Sequence, residues 1–377
     1  MNFLRIYASN NQCDKPQGAM GFPKSSESIY SISPYIGGDV TPPGFVRRVV
    51  LASNENPYGP SPAVKKMVGE YVDKIHCYPS GAANALREAI GFAHGIDPAW
   101  VVTGNGSEDI LHLLSRGFAG CGDEILIPQH GFGVYKIAAL AVGATPVYIP
   151  RADFKLCVDT ILERVTDRTK IFYLDHPGNP VAHYLTNTEI DNLLERMPSH
   201  VLVVLDSAYA EYMEAGDYHY GTKWVQRYPN VVMVRSFSKA YGMANLRLGW
   251  LYAQPEIVDP IHRIRPPFNT TGLSQYAGIA ALEDQSWIRH CMKLNQENLS
   301  WFVAALDSLG ITMIPYTSNF VMAHFKKTQD VYRYLGERGL IVRPMGAYAL
   351  PEYLRITIGT KEQMQELVDV LSVCPHL

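Results

Sequence analysis

The period of apolar and polar positions changes repeatedly along the chain, and those changes predict its elements. Short runs of consecutive apolar, mostly β-branched residues fall at 124–128, 145–149, 170–174, 201–205 and 231–237. Such runs suit strands buried on both faces. Shorter strands are expected at 49–52 and 100–103. Between them the spacing becomes helical: 61–71, then 83–94 with Leu86, Ala89, Ile90 and Ala93 on one face, then a helix after 104–109 with Ile110, Leu113, Leu114 and Phe118, then small residues through 141. Alternation of this kind over 97–252 predicts an α/β fold, a mostly parallel sheet with helices on both faces. Beyond Pro266-Pro267 a long helical stretch, 274–309, leads to strands at 320–325, 340–343 and 353–358 and a helix near 331–338, a smaller α+β domain. Residues 1–45 are polar and rich in Ser, Gly and Pro, which reads as an arm. The expected organisation is an arm at 1–45, a large domain at 46–270 and a small domain at 271–377.

In open parallel sheets, ligands bind outside the carboxyl ends of the strands. Chemistry-bearing residues cluster there. The run 231–237 is followed by Ser238 and Lys239, with Ser236 before and Arg247 eight residues on. Two hydroxyls and a guanidinium suit a phosphate. A lysine in a partly dry site can have a lowered pKa and attack a carbonyl to give a Schiff base. Taken alone, the same pattern also fits serines capping a helix that carries two surface cations. Gly104-Asn-Gly-Ser-Glu-Asp109 opens a helix whose free backbone N–H groups suit an anion; Ser107 as an ordinary cap is the competing reading. Asp206 follows five apolar residues, where a carboxylate is costly unless a positive partner waits. A protonated ring nitrogen would serve, with Asn179 and Tyr209 able to donate to an oxygen on the same ring. Phe132 and Tyr135 lie past a strand end, where an aromatic face could stack on a planar heterocycle. His130 reads as a loop residue.

Residues 53–62 hold prolines at 57, 60 and 62, which stiffen the loop and present Asn54, Asn56 and Tyr58. A plain connector is equally compatible. Arg343 and Arg355 each interrupt an apolar strand, and the pair favours an anionic ligand over snorkelling at an edge.

Composition narrows the class without choosing the chemistry. The chain has 377 residues, 47% apolar and 18% charged, with a net charge of −3. That argues for an ordinary globular protein and against a nucleic-acid or lipid surface. Six scattered cysteines lack any zinc or redox spacing, so free thiols, no metal and a reducing compartment are expected. No stretch approaches the roughly 18 apolar residues of a membrane span. A cytoplasmic location is expected.

These motifs, in this order, resemble the fold-type I, pyridoxal-phosphate-dependent aminotransferases of class I/II: S-N-E-N-P-Y-G-P-S-P, Y-P-S-G, G-N-G-S-E-D-I-L, P-Q-H-G-F-G-V-Y, G-N-P, L-D-S-A-Y, S-F-S-K-A-Y-G, L-R-L-G-W, I-R-P-P-F-N, G-L-I-V-R-P and Y-L-R-I-T-I-G-T. Within the group the chain is most similar to members acting on histidinol phosphate. The resemblance implies pyridoxal 5′-phosphate as cofactor, Lys239 as its Schiff-base partner and proton shuttle, and Asp206 on the ring nitrogen. It places Asn179 and Tyr209 on the ring oxygen and Phe132 on the ring face. The phosphate falls to Ser107, Glu108, Ser236, Ser238 and Arg247. Tyr78 would reach the partner subunit's cofactor in a homodimer. Asn54, Tyr58, Arg343 and Arg355 would receive the anionic substrate. The implied reaction passes an amino group between L-glutamate and imidazole-acetol phosphate, reversibly.

The chain departs from the group where N-P-N-N-P-T-G is usual, with Gly178, Val181 and Ala182 among the changes; Ser207 replaces a glutamate and Asn245 a glycine. Those departures keep a second possibility open: another pyridoxal-phosphate enzyme, such as an aromatic aminotransferase, a decarboxylase or an oxidase. A catalytically idle phosphate-binding protein is the third.

Overall fold

In the computed structural model, residues 24–34, 48–314 and 317–377 are described. Most of the arm expected at 1–45 lies outside them. The strands, in chain order, are β1 (Val49–Val50), β2 (Val101–Asn105), β3 (Glu124–Pro128), β4 (Thr145–Ile149), β5 (Thr169–Asp175), β6 (Leu202–Asp206), β7 (Val231–Ser236), β8 (Leu248–Tyr252), β9 (Phe320–His324), β10 (Leu340–Ile341), β11 (Arg343–Pro344) and β12 (Tyr353–Thr357).

Seven of them form one sheet in the order β2-β8-β7-β6-β5-β3-β4. Neighbours from β4 through β7 run parallel, whereas β8 is antiparallel to both β7 and β2. The apolar runs are continuous because both faces are covered. On one face Leu126, Phe172, Val203, Leu205 and Met233 join a core with Trp224 and Leu86. On the other, Ile125, Ile127, Ile171, Val204 and Val234 join Leu111, Leu114 and Ile261. Successive residues of a strand thus go to opposite cores, the period of two expected of a strand. The reversal of β8 brings its first residues to the edge where β5, β6 and β7 end, so Arg247, just ahead of it, sits beside their ends.

The second unit has the antiparallel sheet β11-β12-β9, the parallel pair β1-β10, and helices Thr328–Glu337 and Lys361–Ser372. Its core includes Phe302, Val321, Leu354, Ile356 and Leu367. Two chain segments connect the units in an order that sequence alone did not show. Val49 and Leu51 belong to the second core, while Ala277, Ala281 and Ile288 belong to the first. The long helix expected over 274–309 is two helices, Gly272–Glu283 and Gln285–Ser308. Asp284 lies between them with ψ 57°, outside the helical region, and its side chain accepts from Trp287 N to cap the second helix. The break follows from Asp competing for backbone N–H groups. The helix Lys361–Ser372, with a capping box from Thr360 and Gln363, has no counterpart in the sequence reading.

Candidate active site

The site forms where β5, β6 and β7 end and the second unit folds back over them. After Ser236 the chain turns sharply: Ser236 Oγ accepts from Ser238 N at 3.1 Å and Gly242 N donates to Lys239 O at 3.0 Å. The stiff loop after β1 fixes this turn from the other side. Asn56 Nδ2 donates to Ala240 O at 2.8 Å, and Lys239 Nζ donates to Ser53 O at 3.0 Å. The lysine stands over the Tyr209 ring, 5.7 Å from its centroid. Burial, then the charge of Arg355, lowers its pKa to about 8. Roughly a tenth of this amine is then neutral at pH 7, far more than for an ordinary lysine, as a nucleophile requires.

Asp206 lies across the same cavity. Its Oδ2 accepts from the Tyr135 hydroxyl at 2.9 Å, while its buried Oδ1 has no hydrogen-bond partner. Burial raises its pKa to about 6, with the Tyr135 bond opposing and the charge of Asp175 adding. An orphaned, buried carboxylate oxygen calls for a cationic donor. The phosphate end is equally distinct. Gly106, with φ +86°, precedes the helix Ser107–Phe118. A Cβ there would lie 2.6 Å from Arg247 Nη2, so only glycine lets the guanidinium close on the helix N-terminus. The helix begins with Ser107 as its first residue rather than its cap. Ser107, Glu108, Ser236, Ser238 and Arg247 line one wall of the cavity, with Arg247 3.8 Å from Glu108.

Asn54, Phe132, Asn179, Tyr209, Arg343 and Arg355 line the rest. Asn54 Nδ2 donates to the Tyr209 hydroxyl at 3.0 Å, and Arg355 Nη1 donates to Asn179 Oδ1 at 2.5 Å. Burial raises the Tyr209 hydroxyl to about 12. Arg343 and Arg355 are register partners on β11 and β12, which puts both guanidinium stems on one face of that sheet. Two expected site residues stand apart. The Tyr58 hydroxyl accepts from Asn298 Nδ2 at 3.0 Å, away from the cavity lining. Tyr78 is 84% exposed and stacks on Phe268 with centroids 4.7 Å apart.

Sequence reasoning gave Tyr135 a ring-stacking role and missed other groups. Tyr135 acts through its hydroxyl on Asp206, and its ring stacks on Tyr173 at 4.9 Å and 4°. Asp175, at the end of β5, is buried beside Asp206 and paired with Arg151. Its position closing an apolar strand, as Asp206 closes the next, was the available signal. Tyr348, which also lines the cavity, carries no such mark; its carbonyl oxygen lies 2.6 Å from Nδ1 of His130. Among the described residues no group of acidic, histidine or cysteine side chains is arranged to hold a metal ion.

A buried amine of lowered pKa, an orphaned carboxylate opposite it, and an anion cradle at a helix N-terminus define an enzyme that holds a phosphorylated carbonyl cofactor with a basic ring nitrogen. The class I and II aminotransferase family profile matches residues 47–371. The chain belongs to that family. A histidinol-phosphate aminotransferase of Rhodospirillum centenum is 44% identical over 93% of this chain and 98% of its own. Another, of Zymomonas mobilis, is 41% identical over 91% and 95%. The fold is that of histidinol-phosphate aminotransferase from Sinorhizobium meliloti, solved with pyridoxal-5′-phosphate, with TM-score 0.85 and 23% identity over 93% of this chain and 97% of that one.

Proposed function

We propose that this protein is a pyridoxal-phosphate-dependent transaminase that moves an amino group reversibly between L-glutamate and imidazole-acetol phosphate, giving L-histidinol phosphate and 2-oxoglutarate. The observation that carries the chemistry is that the buried Lys239 and Asp206, whose Oδ1 has no hydrogen-bond partner, line one cavity. The substrate assignment is supported by relatives 40–44% identical over almost the whole chain that carry this activity in their names.

When bound, pyridoxal phosphate supplies an electrophilic carbonyl and an electron-withdrawing ring. The residues divide the remaining work. Lys239 would hold the cofactor at its carbonyl carbon and, when free, would carry the proton to and from the substrate α-carbon. Asp206 Oδ1 would keep the ring nitrogen protonated, while Tyr135 fixes the other carboxylate oxygen. Asn179 and Tyr209 would donate to the ring oxygen, Phe132 would cover the ring, and the amides of Ser107 and Glu108 with Ser236, Ser238 and Arg247 would hold the phosphate. Arg343 and Arg355 receive the anionic end of the substrate, with Asn54 supporting Tyr209 and Tyr58 set behind the loop that carries it.

The working unit is a homodimer in which Tyr78 reaches the partner's site. Support comes from the exposed Tyr78 and Phe268, a stacked aromatic pair that a lone chain leaves in water. A cytoplasmic setting fits five described cysteines that are all free.

The test is the visible spectrum of the protein loaded with pyridoxal phosphate. L-glutamate and, separately, L-histidinol phosphate are each expected to bleach the band. 2-oxoglutarate is expected to restore it, and Lys239→Ala to show no such cycle. A band that responds to glutamate but not to histidinol phosphate would overturn the substrate; one that responds to neither would overturn the transaminase.

A further inference from the structure

Asp175 is a second buried carboxylate at the ring-nitrogen end of the cavity, and nothing in the proposed chemistry uses it. It closes β5 as Asp206 closes β6, and the two are Cα partners in adjacent parallel strands, about 5 Å apart. It lines the same cavity and is 4% exposed. A bare carboxylate would not remain there, and the chain holds this one deliberately. Arg151 Nη2 donates to Oδ1 at 3.2 Å, with the guanidinium, itself 2% exposed, also donating to Gln129 O at 2.9 Å and Phe154 O at 3.3 Å. Oδ2 accepts from Asn179 N at 3.2 Å.

Space for this carboxylate comes from Gly178. A Cβ there would lie 3.2 Å from Asp175 Oδ2 and 2.1 Å from Val181 O. A larger residue at 178 would meet the Val181 carbonyl of this turn, in which Gly178 N donates to His183 O at 2.9 Å, and would crowd the Asp175 carboxylate.

Resting on the reading of this cavity as a pyridoxal-phosphate site, we propose that Asp175 is a positioning residue that works through Asp206. Its negative charge beside Asp206 strengthens the hold on a protonated ring nitrogen, and so makes the site select a cofactor whose ring can carry that proton. Each group around Asp206 fits this role. Tyr135 and Tyr173 are neutral, Tyr135 is spent on Oδ2, and Arg151 is engaged on the far oxygen of Asp175. Asp206 Oδ1 is left without a hydrogen-bond partner. Burial raises both carboxyls to about 6, against the pull of Arg151 on Asp175 and of the Tyr135 bond on Asp206.

The experiment measures dissociation constants of two probes, pyridoxal 5′-phosphate and its 1-deaza analogue, in which a C–H replaces the ring nitrogen. Wild type is compared with Asp175→Asn, an isostere that keeps an acceptor for Asn179 N. Wild type is expected to prefer pyridoxal phosphate, and Asp175→Asn to reduce that preference about tenfold, the equivalent of one pKa unit at the ring nitrogen. Affinity for the analogue is expected to hold within about twofold of wild type once the 1.4 kcal/mol per decade scale is applied. Because Asp175→Asn leaves a buried guanidinium unpaired, Arg151→Gln/Asp175→Asn is the second variant. The same preferential loss is expected there, smaller because the departing cation offsets part of the departing anion. Equal weakening of both probes in both variants, or an unchanged preference, would overturn the role of Asp175 and leave the cofactor reading intact. Wild type failing to bind pyridoxal phosphate would overturn that reading itself.

Discussion

Asp206→Asn is expected to stabilise the cofactor-free protein while weakening the loaded one. Asp206 sits at about 6 in the folded chain against an ordinary 3.8, because burial disfavours its charge and Asp175 adds to that. The direction of the pH effect follows from proton linkage. A carboxyl with a raised folded pKa binds its proton more tightly when folded, so its ionisation costs stability. That cost is absent below about pH 4, grows through the interval up to pH 6, and is complete above it. Two decades of proton affinity correspond to about 3 kcal/mol at pH 7–8. Asparagine keeps the shape and an acceptor for the Tyr135 hydroxyl but carries no charge. Urea denaturation of cofactor-free wild type and Asp206→Asn at pH 8, 6 and 4 reads the difference. The variant should gain up to about 3 kcal/mol at pH 8, a smaller amount at pH 6, and almost nothing at pH 4. Pyridoxal phosphate should then reverse the order, because a ligand bound only by the folded state adds stability in proportion to its affinity. A variant destabilised at pH 8, or a difference independent of pH, would refute the view that this carboxylate is held in strain for a cation.

Arg355→Ala removes a guanidinium that bonds Asn179 Oδ1 and Ala52 O. We expect the apparent affinity for the anionic substrate to fall by roughly 2–3 kcal/mol, seen as a raised KM, and an unchanged KM would move the anion site elsewhere. Gly178→Ala should cost about 1–3 kcal/mol as an overpacked site, since the new Cβ meets the Val181 carbonyl; a thermal melt equal to wild type would show that the turn relaxes freely. The rate at which cofactor-free protein takes up pyridoxal phosphate should rise with pH through about 8 as Lys239 loses its proton. A flat rate between pH 7 and 9 would place the amine's pKa outside that range.

The parts of the site legible from sequence are those where a residue type conflicts with its surroundings. Lys239 and Asp206 each follow an apolar run where a charge is unfavourable, and Gly106 precedes a helix, so each marks itself locally. Arg343 and Arg355 interrupt strands for the same reason. Tyr135 gave a different signal. Its aromatic ring suggested stacking on a ligand, whereas its hydroxyl bonds Asp206 and its face packs on Tyr173, a choice that depends on which strand lies beside its helix. Tyr348, from a short turn far along the chain, bears no local mark at all.

Most of the strands, their alternation with helices and the edge at which chemistry gathers were legible along the chain, but not β8 or its antiparallel place in the sheet. Hydrophobic period and the cost of burying charge are properties of neighbouring residues, so they can be read along the chain. The pairings between distant segments emerged only in the folded chain. The reversed β8 brings Arg247 to the phosphate wall, and β1 joins the C-terminal core so that Ser53 O meets Lys239. Adjacent strands set Asp175 next to Asp206, and the broken helix after Glu283 divides its burial between two cores. Those pairings come from register and packing across tens to hundreds of residues, where the free energy depends on which surfaces meet and leaves no period in the sequence to read.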